Sequence, residues 1–235
     1  MTAVWLIALN FMRQHRIVAY VFLAWVLGFG VLAVFGGFDA GDVLALFHQQ
    51  AVYGVIYTLF LAAASVQSER QSRRIIAVLA KGIHRHEYLA GLMLGSVLMT
   101  GLYMVTVGLV NSYLALRMGF TDVTGIWSIL AAAALAAVVV AAIATMFSTF
   151  AHPMVGTIGA ILVAGLPAGL QALKGGEVSL FAPAAHVLQQ VFHSDFSRGW
   201  AGGWTFAPIA LAQALVFWAL AGVIFARKDV TTAIE

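Results

Sequence analysis

The residues most able to do polar chemistry crowd into one stretch. Of 12 Lys and Arg and 9 Asp and Glu in 235 residues, seven fall between Glu69 and Glu87: those two and Arg70, Arg73, Arg74, Lys81 and Arg85. His84 and His86 stand among them. Glu69 and Arg73 are four apart, as are Arg70 and Arg74, which fits a helix. His86-Glu87 opens the zinc pattern H-E-x-x-H, but the last position is Ala90, so the second ligand is missing. Elsewhere His48, His186 and His193 could join Asp39, Asp42 or Asp195 around a metal or substrate. His186 and His193, seven apart, share a helical face. The simpler reading makes these histidines ordinary polar residues at a membrane boundary, and no metal site is expected.

Other chemistries lack their residues. Cysteine is absent, which removes disulfides and thiolate metal sites. There is no G-x-S-x-G nucleophile turn and no G-x-x-x-x-G-K-[ST] phosphate loop, so the chain is not expected to be an enzyme or to bind ATP by that route.

The elements that must hold the charged stretch are apolar. The chain is 63% hydrophobic and 9% charged, with a mean hydropathy of +0.98. Soluble domains average about 45–50% apolar and 25% charged. Six runs free of Asp, Glu, Lys and Arg cover residues 17–38, 43–67, 88–116, 123–151, 153–173 and 205–226. Each exceeds the roughly 20 residues needed to cross hydrocarbon. Lipid obliges every backbone amide to find an internal partner, and the runs do not alternate as barrel strands do, so helices are expected. The fold class is all-α: one membrane domain over 1–235 with six spans. Uncharged spans weaken an ion-coupled pump, which commonly places ionisable groups within the bilayer.

Charge asymmetry sets the expected orientation. With the N-terminus in the cytoplasm, the inner segments hold Arg13, Arg16, Arg70, Arg73, Arg74, Lys81, Arg85, Arg227 and Lys228. The outer ones hold only Arg117, Lys174 and Arg198, beside Asp39, Asp42, Asp122, Glu177 and Asp195. Positive charge inside predicts both termini cytoplasmic. The sequence pI near 9.5 then reflects topology and attraction to anionic lipid, not nucleic acid.

Several smaller features follow. Arg13 and Arg16 precede a run too long for a signal peptide, so a retained first span is expected. Residues 1–16 are expected to form an interfacial helix, with Trp5, Leu6, Leu9 and Met12 at helical spacing. The outer segment 174–204 predicts an interfacial or re-entrant helix opened by Pro183, with Val187, Leu188, Val191 and Phe192 on one face and Trp200 and Trp204 at the boundary. Gly91 and Gly95, Gly156 and Ala160, and Gly165 and Gly169 are four apart, a spacing that brings helices close within the chain or between subunits. Pro167 is expected to kink the fifth span. In the charged stretch, Ile75, Ile76, Leu79 and Ile83 gather on one side and Gly82 is a break. That predicts a short amphipathic helix within 68–87, lying along the membrane; a solvated, lipid-attracted loop is the plain alternative.

This stretch resembles the segment between the second and third spans of ABC-2-type permeases. The resemblance rests on Glu69-Arg70, Leu79, Gly82-Ile83, Arg85, Glu87-Tyr88-Leu89, Gly91 and Gly95, and on "FARKDV" at 225–230, similar to the close of that family's last span. These motifs cover about 35 residues, and the six-span layout covers the rest. Lys81 departs from the proline or small residue usual before Gly82. The resemblance implies the permease subunit of an ATP-binding cassette transporter in a bacterial inner membrane. It implies two ATPase subunits as partners, which would carry ATP and Mg, and a second permease copy, identical or related. No cofactor is implied in this chain. The stretch would be a coupling helix docking on the ATPase, with Glu69 as a hinge. Arg70, Arg73, Arg74, Leu79, Ile83, His84, Arg85, Glu87 and Tyr88 would make up the rest of the coupling surface.

Under that reading, spans one, two and five line a pathway between two permeases. Phe22, Trp25, Phe29, Tyr53, Tyr57 and Phe60 would form uncharged walls suited to an apolar or amphipathic cargo, exported with energy supplied by the partner. Two other functions fit the same composition: an ATP-independent secondary transporter or channel, and a membrane scaffold in an ATPase-driven assembly that moves no cargo.

Overall fold

The computed structural model describes residues 2–72, 74–80, 82–174, 182–196 and 204–227. Arg73, Lys81, Glu177, Arg198, Trp200 and residues 228–230 of the closing motif lie outside the described residues, as does the side chain of Leu79. The described chain is helical, with no strand: α1 (Thr2–Gln14), α2 (Arg16–Phe35), α3 (Ala40–Gln71), α4 (Arg74–Leu79), α5 (Arg85–Arg117), α6 (Thr124–Ser148), α7 (Pro153–Lys174), α8 (Pro183–Val191) and α9 (Ala207–Arg227), the last entered through a 3-10 turn at Trp204–Phe206. Six of these, α2, α3, α5, α6, α7 and α9, are long and apolar enough to cross a membrane. The protein is a multi-pass membrane protein.

The six spans fall where the apolar runs lie, with shifted ends. At 1.5 Å per residue, α3 with 32 residues and α5 with 33 are each about 48–50 Å long, against a hydrocarbon core of ~30 Å. Glu69, Arg70, Arg85 and Glu87 therefore sit on helical extensions of two spans. The separate helix expected between them shrinks to the six residues of α4. The break at Gly82 is real: its φ of +80° lies in the left-handed region that glycine adopts without steric cost. α5 begins three residues later, and the Glu87 carboxylate accepts from the backbone N–H of its N-cap, His84, at 3.3 Å.

α6 is the axis of the bundle. In its most apolar 18-residue window 78% of residues are buried, against 22% for α2 and α9 and 17% for α7. It touches α3, α5, α7, α8 and α9. The alanine-rich run explains this: Ala132, Ala133, Ala136, Ala137, Ala141, Ala142 and Ala144 are fully buried, and small side chains let several helices approach one axis. Asn111 Nδ2 donates to Gln50 Oε1 at 2.8 Å, and the Tyr103 hydroxyl donates to the Gln50 carbonyl at 3.0 Å. With the Thr58–Thr100 hydroxyl pair, these bonds clasp α3 to α5 through neutral groups.

α1 packs one face into the protein and leaves part of its apolar pattern exposed. Trp5 and Leu6 are exposed, while Ala8 and Phe11 are buried. A side chain at Gly91 would strike Ile7, and one at Gly95 would strike Phe11. Matching four-residue steps on both helices mean that α1 lies alongside the first turns of α5, in the same direction. α7 continues as helix through Pro167. α8 buries Pro183, Ala184, Val187 and Val191, and Phe192 turns outward.

Candidate functional site

The charged stretch is held by the ends of four helices. Glu69, at the end of α3, is only 4% exposed. Its Oε2 accepts from the Tyr88 hydroxyl at 2.8 Å, which ties α3 to the start of α5. Arg74 Nη1 stands 3.9 Å from Glu69 Oε1, with its side chain half exposed. Arg70 turns the other way and donates from Nη2 to the Thr149 carbonyl at 2.9 Å, past the end of α6. Arg85 Nη1 donates to the carbonyls of Phe225 and Ala226 at 2.9 and 3.1 Å, at the end of α9. A guanidinium is well placed there, because the last carbonyls of a helix lack intrahelical partners and carry its negative pole.

One ring joins two of these arginines. Phe225, fully buried, has the Arg70 guanidinium carbon 5.8 Å from its centroid and that of Arg85 at 5.7 Å. Both are within cation–π range. Phe225, Ile75, Tyr88, Leu89, Leu92 and Phe11 belong to a second buried cluster, apart from the main core around α6. The charged stretch is thus mounted on packed hydrocarbon. Hydrogen bonds from its residues reach the ends of α5, α6 and α9.

The outward side is what a partner would meet. Ile76, His84 and His86 are exposed, and Ile83 and Glu87 are partly so. The rings of His84 and His86 stack at 5.4 Å, 10° from parallel. Of the coupling residues expected from sequence, Arg74, Ile83, His84 and Glu87 keep an outward aspect, while Glu69, Arg70, Arg85 and Tyr88 are engaged within the chain. Three contributors were missed from sequence. His86 completes the outward pair, a two-residue spacing that was visible. Phe225 and Thr149 lie some 140 and 79 positions from their arginines. No local pattern reports such distances.

Five of the six expected pathway aromatics make ring contacts within α2 or from α2 to α3, although α2 itself packs mainly on α5. Phe22 lies 4.3 Å from Tyr57, and Trp25 lies 4.8 Å from Phe29 and 5.5 Å from Tyr53, between ring centroids. Phe60 is elsewhere, beside Ala160, Ile161 and Gly165 in a groove between α3 and α7. α3 therefore shares ring contacts with α2 and a groove with α7. Gly156 rests against Phe147 of α6 and Ala160 is buried, whereas Gly165 and Gly169 face open space.

The outer histidines do not converge. His48 Nε2 pairs with the Ser194 carbonyl at 2.9 Å, His186 packs on Phe206, and His193 pairs with the Gln189 carbonyl at 2.8 Å. Among the described residues no group of three or more His, Asp or Glu could hold a metal.

Compared with known proteins, the chain matches no family model and no curated protein.

Proposed function

We propose that this chain is the permease subunit of an ABC-2-type transporter, driven by ATP hydrolysed on a separate subunit. The observation that carries the proposal is the mounting of the charged stretch. Its outward side offers Arg74, His84, His86 and Glu87, and its inward side is bonded to the ends of α3, α6 and α9. A push on such a segment reaches several spans at once. A lipid-attracted loop has no need of that linkage. The motif resemblance over Glu69–Gly95 supports the same reading.

In this account both termini are cytoplasmic, in a bacterial inner membrane. Arg13, Arg16, Arg70, Arg74, Arg85 and Arg227 would gather on the ATPase side. Two ATPases, each with ATP and Mg, would dock on two permease copies. Cargo, apolar or amphipathic, would be exported between α2, α3 and α7 and their counterparts. The uncharged spans agree with energy that arrives from outside the chain.

The docking surface is tested by His84→Asp with His86→Glu. Aspartate is a strong helix N-cap, so the start of α5 should survive while the surface gains negative charge. Exposed charge pairs contribute about 0.2–1 kcal/mol each, so two added negative charges should weaken ATPase association about 2–30-fold. Association unchanged, with the fold intact, would remove the docking assignment.

A further inference from the structure

Beside the charged stretch, between α1, α4 and α5, lies a cavity of about 380 Å³. Its walls are hydrocarbon from Leu6, Ile7, Val78, Ile83 and Leu92. Its polar part is the Glu69 carboxylate, the Tyr88 hydroxyl and Asn10. Leu6 is exposed, so the cavity opens at the surface. It exceeds twice the ~150 Å³ that admits benzene to an apolar cavity, which leaves room for a polar head and part of a chain.

We infer that this cavity binds a primary alkylammonium amphiphile, with its ammonium on Glu69 and its chain along α1. Glu69 has one cation near it among the described residues, Arg74, and keeps acceptor capacity for a closer donor. An ionised carboxylate accepts about four hydrogen bonds, and among the described residues Glu69 receives one, from Tyr88. Arg74, at 3.9 Å and half exposed, is beyond hydrogen-bond distance. A buried carboxylate beside hydrocarbon is costly without a close counter-charge. An anion is poorly matched to a carboxylate, and a neutral hydrocarbon brings it no hydrogen-bond donor. Water would solvate the carboxylate yet wet the apolar walls. A primary ammonium brings three donors, enough for Glu69 and the Asn10 amide oxygen together. A trimethylated head brings none. The inference stands apart from the transport reading and holds whatever the chain moves.

The ammonium could come from a free amphiphile or from an ethanolamine lipid head. The test uses the full chain in micelles, with dodecylamine counted by native mass spectrometry. One saturable equivalent is expected, and dodecanol and dodecyltrimethylammonium should bind at least about tenfold more weakly, as loss of a charge-assisted bond implies. Glu69→Gln, which keeps an acceptor for Tyr88, should weaken dodecylamine by a similar factor. Ala3→Trp, filling the cavity from α1, should abolish binding, and Asp122→Asn, in the distant connection before α6, should leave it unchanged. Nanodiscs of phosphatidylethanolamine or phosphatidylglycerol separate the sources: co-purifying ethanolamine lipid that Ala3→Trp removes identifies lipid, and binding of dodecylamine alone identifies a free amphiphile. Binding that never saturates, equal binding of dodecanol, or indifference to Glu69→Gln and Ala3→Trp would overturn the inference. If Glu69→Gln does not fold, Ala3→Trp decides.

Discussion

Phe225 does more than fill space. It is fully buried and takes a guanidinium from each of two other helices, while its own carbonyl holds one of them. Phe225→Ala should cost ~3–5 kcal/mol, the range for emptying a phenylalanine site in a core. Phe225→Leu should recover the packing but not the cation–π contacts. Equilibrium unfolding in mixed micelles would measure both, and a loss under about 1 kcal/mol for the alanine variant would deny the clamp its role. Asp122, in the connection before α6, offers a pH test. It accepts from the Thr124 backbone N–H at 2.8 Å and from its hydroxyl at 2.7 Å, and these bonds hold its carboxyl below the ordinary 3.8. A lowered folded pKa stabilises above the unfolded value, and the benefit disappears as pH falls through the folded one. Asp122→Ala should therefore melt below the parent protein at neutral pH, and the two should converge in strong acid.

At the scale of elements, the pairing of α1 with α5 is open to direct test, because the chain has no cysteine. Ala8→Cys places one thiol on the buried face of α1, where thiol reagents should fail to reach it. Adding Gly95→Leu, whose side chain would meet Phe11 and the Ala8 carbonyl, should lift α1 and expose the thiol. Equal protection in both backgrounds would contradict the close packing. This pairing also marks what sequence made legible. Gly91 and Gly95 announced a groove by their spacing, but a pair of small residues does not name its occupant. The apolar pattern of α1 gave Trp5 and Leu6 as an interfacial face, and said nothing of the fit of Ala8 and Phe11 into that groove. The six spans were legible because lipid leaves little choice of backbone. The central place of α6 was present in its alanines, yet composition alone reads them only as apolar. The Glu69–Tyr88 bond and the Phe225 clamp were not legible as contacts, since each joins residues from different helices.

At the scale of the molecule, the architecture separates a nearly uncharged bundle from a charged patch bonded to its helix ends. The central claim is that this patch receives work from another protein. Charge placement predicts that the patch and both termini face the cytoplasm. A cysteine at His84 should then be labelled by impermeant reagents only from that side; labelling from the outside would invert the account. The most direct measurement is purification of the tagged chain from its native membrane in mild detergent, with its partners identified and vanadate-sensitive ATP hydrolysis assayed. The account predicts an ATPase subunit in stoichiometric amount, reduced by His84→Asp with His86→Glu. A stable chain that repeatedly purifies without any ATPase would contradict it, and would favour a transporter or channel that works alone.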